Sequence, residues 1–141
     1  MIRSLPITLA QGLSLHSAFI EVSQIELDAR EVRDVSERYV RDNGELKESN
    51  SESGADFEVI VTGLRFKALV WVNENTHQQD KPAFDLMDKD HKTAIEIDFA
   101  KYPAIAEHFD NGFNPEATKA QRLEGTCERF ISTVLVDLLK A

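Results

Sequence analysis

Several residue types and features are scarce in this sequence, and each shortage excludes a class of protein. Cys127 is the single cysteine, so no disulfide can form within the chain, and no CxxC or Cys/His pair predicts a structural zinc site. No apolar run approaches the ~18 residues of a membrane span. Gln11 and Ser14 interrupt the apolar stretch that a signal peptide needs. These features predict a cytoplasmic protein without a membrane segment.

Basic residues are also few compared with acidic ones. The 141 residues include 16 Lys and Arg against 25 Asp and Glu, so the formal net charge is −9 at pH 7. Such an acid excess disfavours a general phosphate-binding surface, and we expect no direct contact with nucleic acid. The length and the 42% hydrophobic content predict one globular domain over residues 1–141 that needs no metal or disulfide to fold.

Apolar side chains are nearly missing from residues 45–56, where only Leu46 and Ala55 occur. Ordering this Ser- and Glu-rich segment would bury little apolar surface. Its composition therefore predicts a mobile polar loop.

Residues 29–42 place apolar and charged side chains on opposite sides at helical spacing. Asp28 and Glu31 have the spacing of a capping box, and Asn43-Gly44 is typical of a helix end. The pattern predicts an amphipathic helix at about 29–42. Its arginines alternate with acids four residues away, which indicates a solvated face rather than an anion site.

Alternation of apolar and polar residues predicts strands at about 57–62, 64–72, 83–88 and 93–99. Their short connections favour an antiparallel sheet. Gly63 fits either a turn or a bulge. Residues 12–27 fit a helix or a strand, and we favour a strand because a helix would leave Ile20 and Leu27 off its apolar face.

The last predicted element is a long helix from about 115 to 140, with Asn114 as its cap and Pro115 in its first turn. Its apolar stripe would cover one face of the sheet. The predicted fold class is thus α+β, a four- to five-stranded antiparallel sheet packed against this long C-terminal helix, with the second amphipathic helix at about 29–42. The stripe is wide enough to offer an oligomer contact through Ile131, Leu135 and Leu139.

Motifs that carry chemistry are absent: there is no HExxH, no glycine-rich phosphate loop and no G-x-S-x-G elbow. Weak metal-ligand candidates are Asp88, Asp90 and His91, although a polar hairpin turn explains them better. Glu96 and Asp98 share a strand face, an arrangement similar to the acidic strand of metal-dependent nucleases. We predict no catalytic residue and no cofactor, and keep a small metal-dependent hydrolase or nuclease as an alternative.

The second face of the predicted sheet combines apolar and charged side chains, as protein interfaces do. We take six residues as its partner-binding patch: Ile60, Arg65, Lys67, Leu69, Trp71 and Met87. In the alternative, the N-terminal segment with Leu9, Leu13 and Leu15 covers this face. The prediction is a non-enzymatic protein-binding factor, an acidic adaptor, inhibitor or chaperone-like protein whose partner has a basic surface. Self-assembly into a homodimer or larger structural oligomer is a further alternative.

Overall fold

In the part of the chain that the structure describes, seven antiparallel strands and a long C-terminal helix form the fold. The structure, a computed structural model, describes the backbone of residues 1–30, 34–51 and 60–140 and the side chains of residues 1–27, 39–47 and 61–140. The elements in chain order are β1 (Ile2–Thr8), β2 (Ser14–Arg30), β3 (Asp34–Asp42), β4 (Glu45–Ser51), β5 (Ile60–Trp71), α1 (Glu74–Gln78), β6 (Phe84–Asp85), β7 (Ile95–Asp98), α2 (Pro103–Asn111), α3 (Lys119–Phe130), a π-helical turn (Ile131–Leu135) and α4 (Val136–Lys140).

Two long strands form the centre of the sheet. Strand β2 has 17 residues and β5 has 12, and they pair with each other in the order β4-β3-β2-β5-β6. The edge of β2 that does not pair with β5 pairs with β1 and β3, which lie end to end. The edge of β5 that does not pair with β2 pairs in the same way with β6 and β7. The α+β class and the antiparallel sheet are therefore confirmed, with more strands than the sequence suggested.

The predicted helix at about 29–42 is wrong, because residues 34–42 form strand β3. Asn43-Gly44 does not end a helix but turns the chain between β3 and β4, with φ of 51° and 82°. Two consecutive residues with positive φ make the tight turn whose twist suits a hairpin. Residues 31–33 lie outside the described residues.

The predicted mobile loop at 45–56 is also wrong in its first part, since Glu45–Ser51 is strand β4. Leu46 anchors this edge strand because its side chain is buried in the core. Residues 52–56 lie outside the described residues.

Residues 12–27 adopt the favoured strand, as the first part of β2. A register shift between Val22 and Gln24 marks a bulge at Ser23. Before the bulge, Ala18, Ile20 and Val22 are buried toward the helices, and after it the inward positions become Ile25 and Leu27. The bulge therefore changes the phase of the alternation and explains why helical spacing also fitted this segment.

Gly63 lies inside one continuous strand β5 and not in a turn between two strands. A Cβ at this position would lie 2.7 Å from the backbone oxygen of Ile97 on β7. Glycine is thus the residue that allows β7 to approach β5 here. The predicted strands at 83–88 and 93–99 are shorter than expected and pair separately with β5 rather than with each other.

The C-terminal helix spans 22 residues, 119–140, and covers one face of the sheet. It begins four residues later than predicted because Thr118, and not Asn114, caps it, in a capping box with Gln121. Side chains from this helix and from the sheet meet in one core, among them Phe66, Val70, Ile95, Ile97, Leu123, Cys127, Phe130, Ile131 and Leu135.

Helix α2 was not predicted. It begins at Pro103, ends before Gly112, and buries Ile105 and Phe109, which stand four residues apart. This spacing and the flanking Pro and Gly were the available sequence signal. Across the described ranges, no helix is both long and apolar enough to cross a bilayer.

Candidate functional site

The face of the sheet turned away from the C-terminal helix, called here the outer face, carries the predicted binding residues of β5. Directly opposed residues of neighbouring strands share a face. The register therefore places side chains in rows: Phe19 beside Trp71; Glu21 beside Leu69 and Asp85; Gln24 beside Lys67; Glu26 beside Arg65 and Glu96; and Gly63 beside Asp98.

One end of the outer face is covered by helix α1, and we call it the aromatic end. His77 of this helix stacks on Phe19, with ring centroids 4.1 Å apart, and meets the edge of Trp71 at 4.6 Å. The Trp71 indole N–H donates to the backbone oxygen of Lys81 at 2.9 Å. Because its ring and its N–H are both engaged within the chain, Trp71 is a packing residue more than an exposed anchor.

The opposite end, called here the open end, is formed by the rows of Lys67 and Arg65. Two adjoining depressions of about 240 and 210 Å³ lie there, and Arg65 lines both. The first also contains Gln24 and Lys67, and the second contains Asp98. Arg65 and Glu26 form an ion pair at 3.6 Å across the strands. The open end is thus a charged surface with relief, and not the apolar patch that the sequence suggested.

Arg65, Lys67, Leu69 and Trp71 share the outer face as predicted, with Arg65 and Lys67 exposed and Leu69 and Trp71 half-buried. Ile60 is the first residue of β5, eleven positions from Trp71, which is roughly 36 Å along a strand. Its side chain lies outside the described residues. Met87 follows β6 and is half-buried.

The N-terminal segment does not cover the outer face. Leu9 and Leu15 are buried in the core and Leu13 is exposed, while β1 extends the sheet itself. Among the described residues, helix α1 and the residues after it cover part of this face. The sequence reasoning missed this role of α1, although Asn73 and Thr76 have the spacing of its capping box.

A polar network, also missed from the sequence, fills the break between β1 and β3 along the edge of β2. Arg41 donates to the backbone oxygen of Val22 through Nε at 3.2 Å and Nη2 at 3.0 Å. The same guanidinium pairs with Glu21 at 3.1 Å and with Glu124 of the C-terminal helix at 2.9 Å. Planar guanidinium suits this role because it donates in several directions at once. His77 approaches the other Glu21 oxygen at 3.4 Å.

The N-terminal amine extends this network to the C-terminal helix. It lies 3.2 Å from a Glu124 oxygen and 2.6 Å from a Glu128 oxygen. Burial alone would lower the pKa of the Met1 amine, but the two carboxylates outweigh it and the pKa is raised above its ordinary value of 8.0.

Two of the three residues predicted to form an oligomer contact are buried within the chain. Ile131 and Leu135 are 0% and 1% exposed because they pack against the chain's own sheet. They belong to the core of the protomer and are not available to a second subunit. Leu139 is half-buried against the same core.

The weak metal candidates Asp88, Asp90 and His91 lie in a polar turn. One Asp88 carboxylate oxygen accepts from the backbone N–H groups of Asp90 at 2.9 Å and of Lys92 at 3.0 Å. His91 adopts a φ of 62°, and its N–H donates to the backbone oxygen of Asp88. These contacts stabilise the turn. In the part of the chain that the structure describes, no three His, Cys, Asp or Glu residues are grouped to hold a metal.

Glu96 and Asp98 do project from one face of β7 and are both exposed. An Asp98 carboxylate oxygen accepts from the N–H of Ala100 at 2.9 Å, which holds the turn after the strand. Lys101 lies beyond that turn, with its ammonium 5.5 Å from the Tyr102 ring centre. These residues therefore form the end of β7 and the turn that follows it.

Cys127 is fully buried in the C-terminal helix. Burial, and then the nearby Glu128 and Glu124 carboxylates, raise the pKa of its thiol well above the ordinary value. A thiol in this state is a poor nucleophile.

Comparison with known proteins adds no relative: no protein family, no curated protein and no solved structure matches the chain.

Proposed function

We propose that this chain is a non-enzymatic protein-binding factor that contacts its partner through the open end of the outer face. The observation that carries the proposal is a surface of exposed charged side chains beside two depressions on that face. Helices cover the other face of the sheet, whereas the rows of Lys67 and Arg65 are exposed beside two adjoining depressions.

The size of the depressions favours a macromolecular partner. Each is smaller than the roughly 300–1,000 Å³ of pockets that enclose a small ligand. Together they follow β5 and extend over β2 and β7, a width of about 10 Å at the usual strand spacing. A surface of this kind fits side chains of a partner that lies across the strands.

The charge of the outer face favours a basic partner. Glu26, Glu96, Asp98 and Asp85 stand in its rows against Arg65 and Lys67. Arg65 is already paired with Glu26, so the excess acid lies toward β6 and β7. Complementary charge would speed association and select the partner. A cytoplasmic location remains part of the proposal, because a chain with one cysteine needs no oxidising compartment.

Charge reversal tests the proposal directly. The variant Glu96→Lys reverses an exposed acid in the Arg65 row of the open end, and its control, Glu107→Lys, makes the same charge change on an exposed position of α2. Wild type and both variants are used to capture proteins from lysate of the native host, with quantification by mass spectrometry.

We expect a protein that wild type and the α2 control retain and that the outer-face variant loses at least tenfold. Equal retention by both variants would show that binding occurs elsewhere. Capture of nothing specific by wild type would count against a protein-binding role.

A further inference from the structure

Two glycines leave room for packed rings where α2 meets α3. A Cβ on Gly112, the residue that follows α2, would overlap Nδ1 of His108. A Cβ on Gly125 of α3 would lie 2.5 Å from Cε1 of Phe113. The His108 and Phe113 rings also contact each other, with centroids 4.7 Å apart. These four residues, called here the ring cluster, join the end of α2 to α3.

The ring cluster also holds the connection between the two helices. This connection runs from Phe113 to Thr118, which caps α3. Its printed backbone bonds are local, since the N–H groups of Glu116 and Ala117 donate to Asn114 at 3.0 and 2.9 Å. Phe113 is the one large apolar side chain of the connection. Its ring against Gly125 is therefore the contact that fixes the connection on the C-terminal helix.

Arg129 of α3 places a positive charge near the ring cluster. It stands four residues after Gly125 and so lies on the same side of the helix. Burial, and then the charge of Arg129, lower the pKa of His108 below its ordinary value of 6.5. Both effects favour the neutral imidazole in the packed arrangement.

The other charged groups around His108 do not offset this effect. Glu107 and Asp110 are on the same helix and are exposed. Arg122 of α3 is engaged with Phe109, because its guanidinium donates to the backbone oxygen and lies 4.7 Å from the ring centre. Within residues 1–30, 34–51 and 60–140, no carboxylate pairs with the His108 ring. Protonation of His108 would thus add a cation where no acid receives it.

We propose that the ring cluster is an acid-sensitive switch, in which protonation of His108 releases the Phe113 ring from Gly125 and frees the connection between α2 and α3. Histidine is the side chain that ordinarily changes charge between about pH 5 and 8. Because the pKa of His108 is lowered in the packed state, that state is most stable above the unfolded-state pKa and weakens as pH falls through the folded-state pKa.

Nuclear magnetic resonance of the full chain between about pH 8 and 5 tests the switch. The ring protons of His108 report its protonation, and the Overhauser cross-peak between the Phe113 ring and the Gly125 α-protons reports the packed state. We expect the His108 midpoint to lie below that of the same imidazole in the urea-unfolded chain. The cross-peak should lose intensity with the His108 midpoint, whereas the reference cross-peak between Tyr102 and Phe130, whose rings are 5.3 Å apart, should stay constant.

The variant His108→Phe keeps a ring against Phe113 but binds no proton. We expect its cross-peak to Gly125 to be the same at both ends of the pH range, although the other three histidines are still present. A loss of the cross-peak at low pH in this variant would assign the effect to a different group and overturn the proposal.

The variant Arg129→Gln removes the cation near the ring cluster and keeps His108. It should raise the His108 midpoint and reduce the loss of the cross-peak at low pH. The control Lys140→Gln removes the same charge from an exposed position at the end of the C-terminal helix and should behave as wild type does. Equal shifts of the midpoint in both variants would contradict a specific role of Arg129.

The variant Gly125→Ala supplies a reference for the released state. Its Cβ would occupy the space of the Phe113 ring, while alanine favours a helix more than glycine does, so the chain should remain folded. We expect its Phe113 signals at neutral pH to match those of wild type at about pH 5. A wild-type cross-peak that stays constant while His108 titrates would overturn the switch. No residue of the outer face takes part, so this failure is distinct from failure of partner capture.

Discussion

Arg41 is the residue whose replacement should reveal how the sheet is held to the C-terminal helix. Its guanidinium donates to the backbone oxygens of Val22 and Gly44 and pairs with the carboxylates of Glu21 and Glu124. The substitution Arg41→Ala removes all of these contacts. It also leaves two acids with fewer partners in the break between β1 and β3.

The expected loss lies between two limits. Exposed ion pairs contribute about 0–1 kcal/mol, and breaking a buried pair costs about 3–5 kcal/mol. The side chains of Arg41, Glu21 and Glu124 are 16%, 18% and 20% exposed, and both acids keep a second partner in His77 or the Met1 amine. We therefore expect a loss of about 3 kcal/mol in the free energy of unfolding, or roughly 9 °C in Tm for a chain of this length.

Urea unfolding, followed by the fluorescence of the single tryptophan, Trp71, measures this loss. The matched control is Lys47→Ala, which removes a 3.9 Å ion pair to Asp42 whose two side chains are more than half exposed. That variant should change stability by less than about 0.5 kcal/mol. Arg41→Lys should recover less than half of the loss, because one ammonium cannot replace three guanidinium nitrogens. If Arg41→Ala and Lys47→Ala agreed within about 0.5 kcal/mol, the network would have no role in stability.

Two further predictions concern backbone approach and pH. The substitution Gly63→Ala would place a Cβ 2.7 Å from the Ile97 oxygen. We therefore expect it to lower the free energy of unfolding by about 2 kcal/mol and to increase amide hydrogen exchange in β7. Unchanged exchange in β7 would contradict this prediction. Because the pKa of the Met1 amine is raised in the folded chain, the protonated amine stabilises the fold. Its full contribution to the free energy of unfolding is present below the unfolded-state pKa and is lost as pH rises through the folded-state pKa. Stability should therefore begin to fall above about pH 8, and N-terminal acetylation, which removes the charge paired with Glu124 and Glu128, should reduce this dependence in urea titrations at several pH values. The raised pKa of the buried Cys127 thiol adds a separate fall at higher pH, which acetylation leaves in place.

The parts of the fold that follow from simple periodicity could be predicted from the sequence. The C-terminal helix has one continuous apolar stripe, and its packing against an antiparallel sheet is confirmed. Alternation in β5 also placed Arg65, Lys67, Leu69 and Trp71 on one face. Both patterns are local, and no long-range contact is needed to recognise them.

The segment 29–42 was mispredicted because its local pattern suits two structures. Tyr39 and Val40 belong to a helical stripe, yet in β3 they pair with Ile25 and Gln24 of β2. Asn-Gly is both a helix terminator and a hairpin turn. Only pairing with the preceding strand β2 and the following strand β4 decides between the two, and that pairing outweighs local propensity.

The contacts that define the candidate site lay beyond sequence reasoning for a related reason. The sequence suggests that Trp71 is an exposed anchor, whereas in the structure helix α1 packs His77 against it. In the sequence Arg41 is one arginine of a charged segment. In the structure β1 begins opposite Ile20 and the pairing of β3 with β2 ends opposite Gln24, which leaves a break for the Arg41 side chain. Both results depend on where strands end, and strand ends are set by packing.

The end-to-end arrangement of short strands along β2 and β5 has a consequence for local opening. Each short strand forms its ladder with only one half of a long strand. Release of β1 would leave the β2–β3 ladder intact, and release of β7 would leave the pairing of β6. The sheet can therefore open as several small cooperative units around the continuous β2–β5 ladder, which is expected to be the last to yield its amides to solvent exchange.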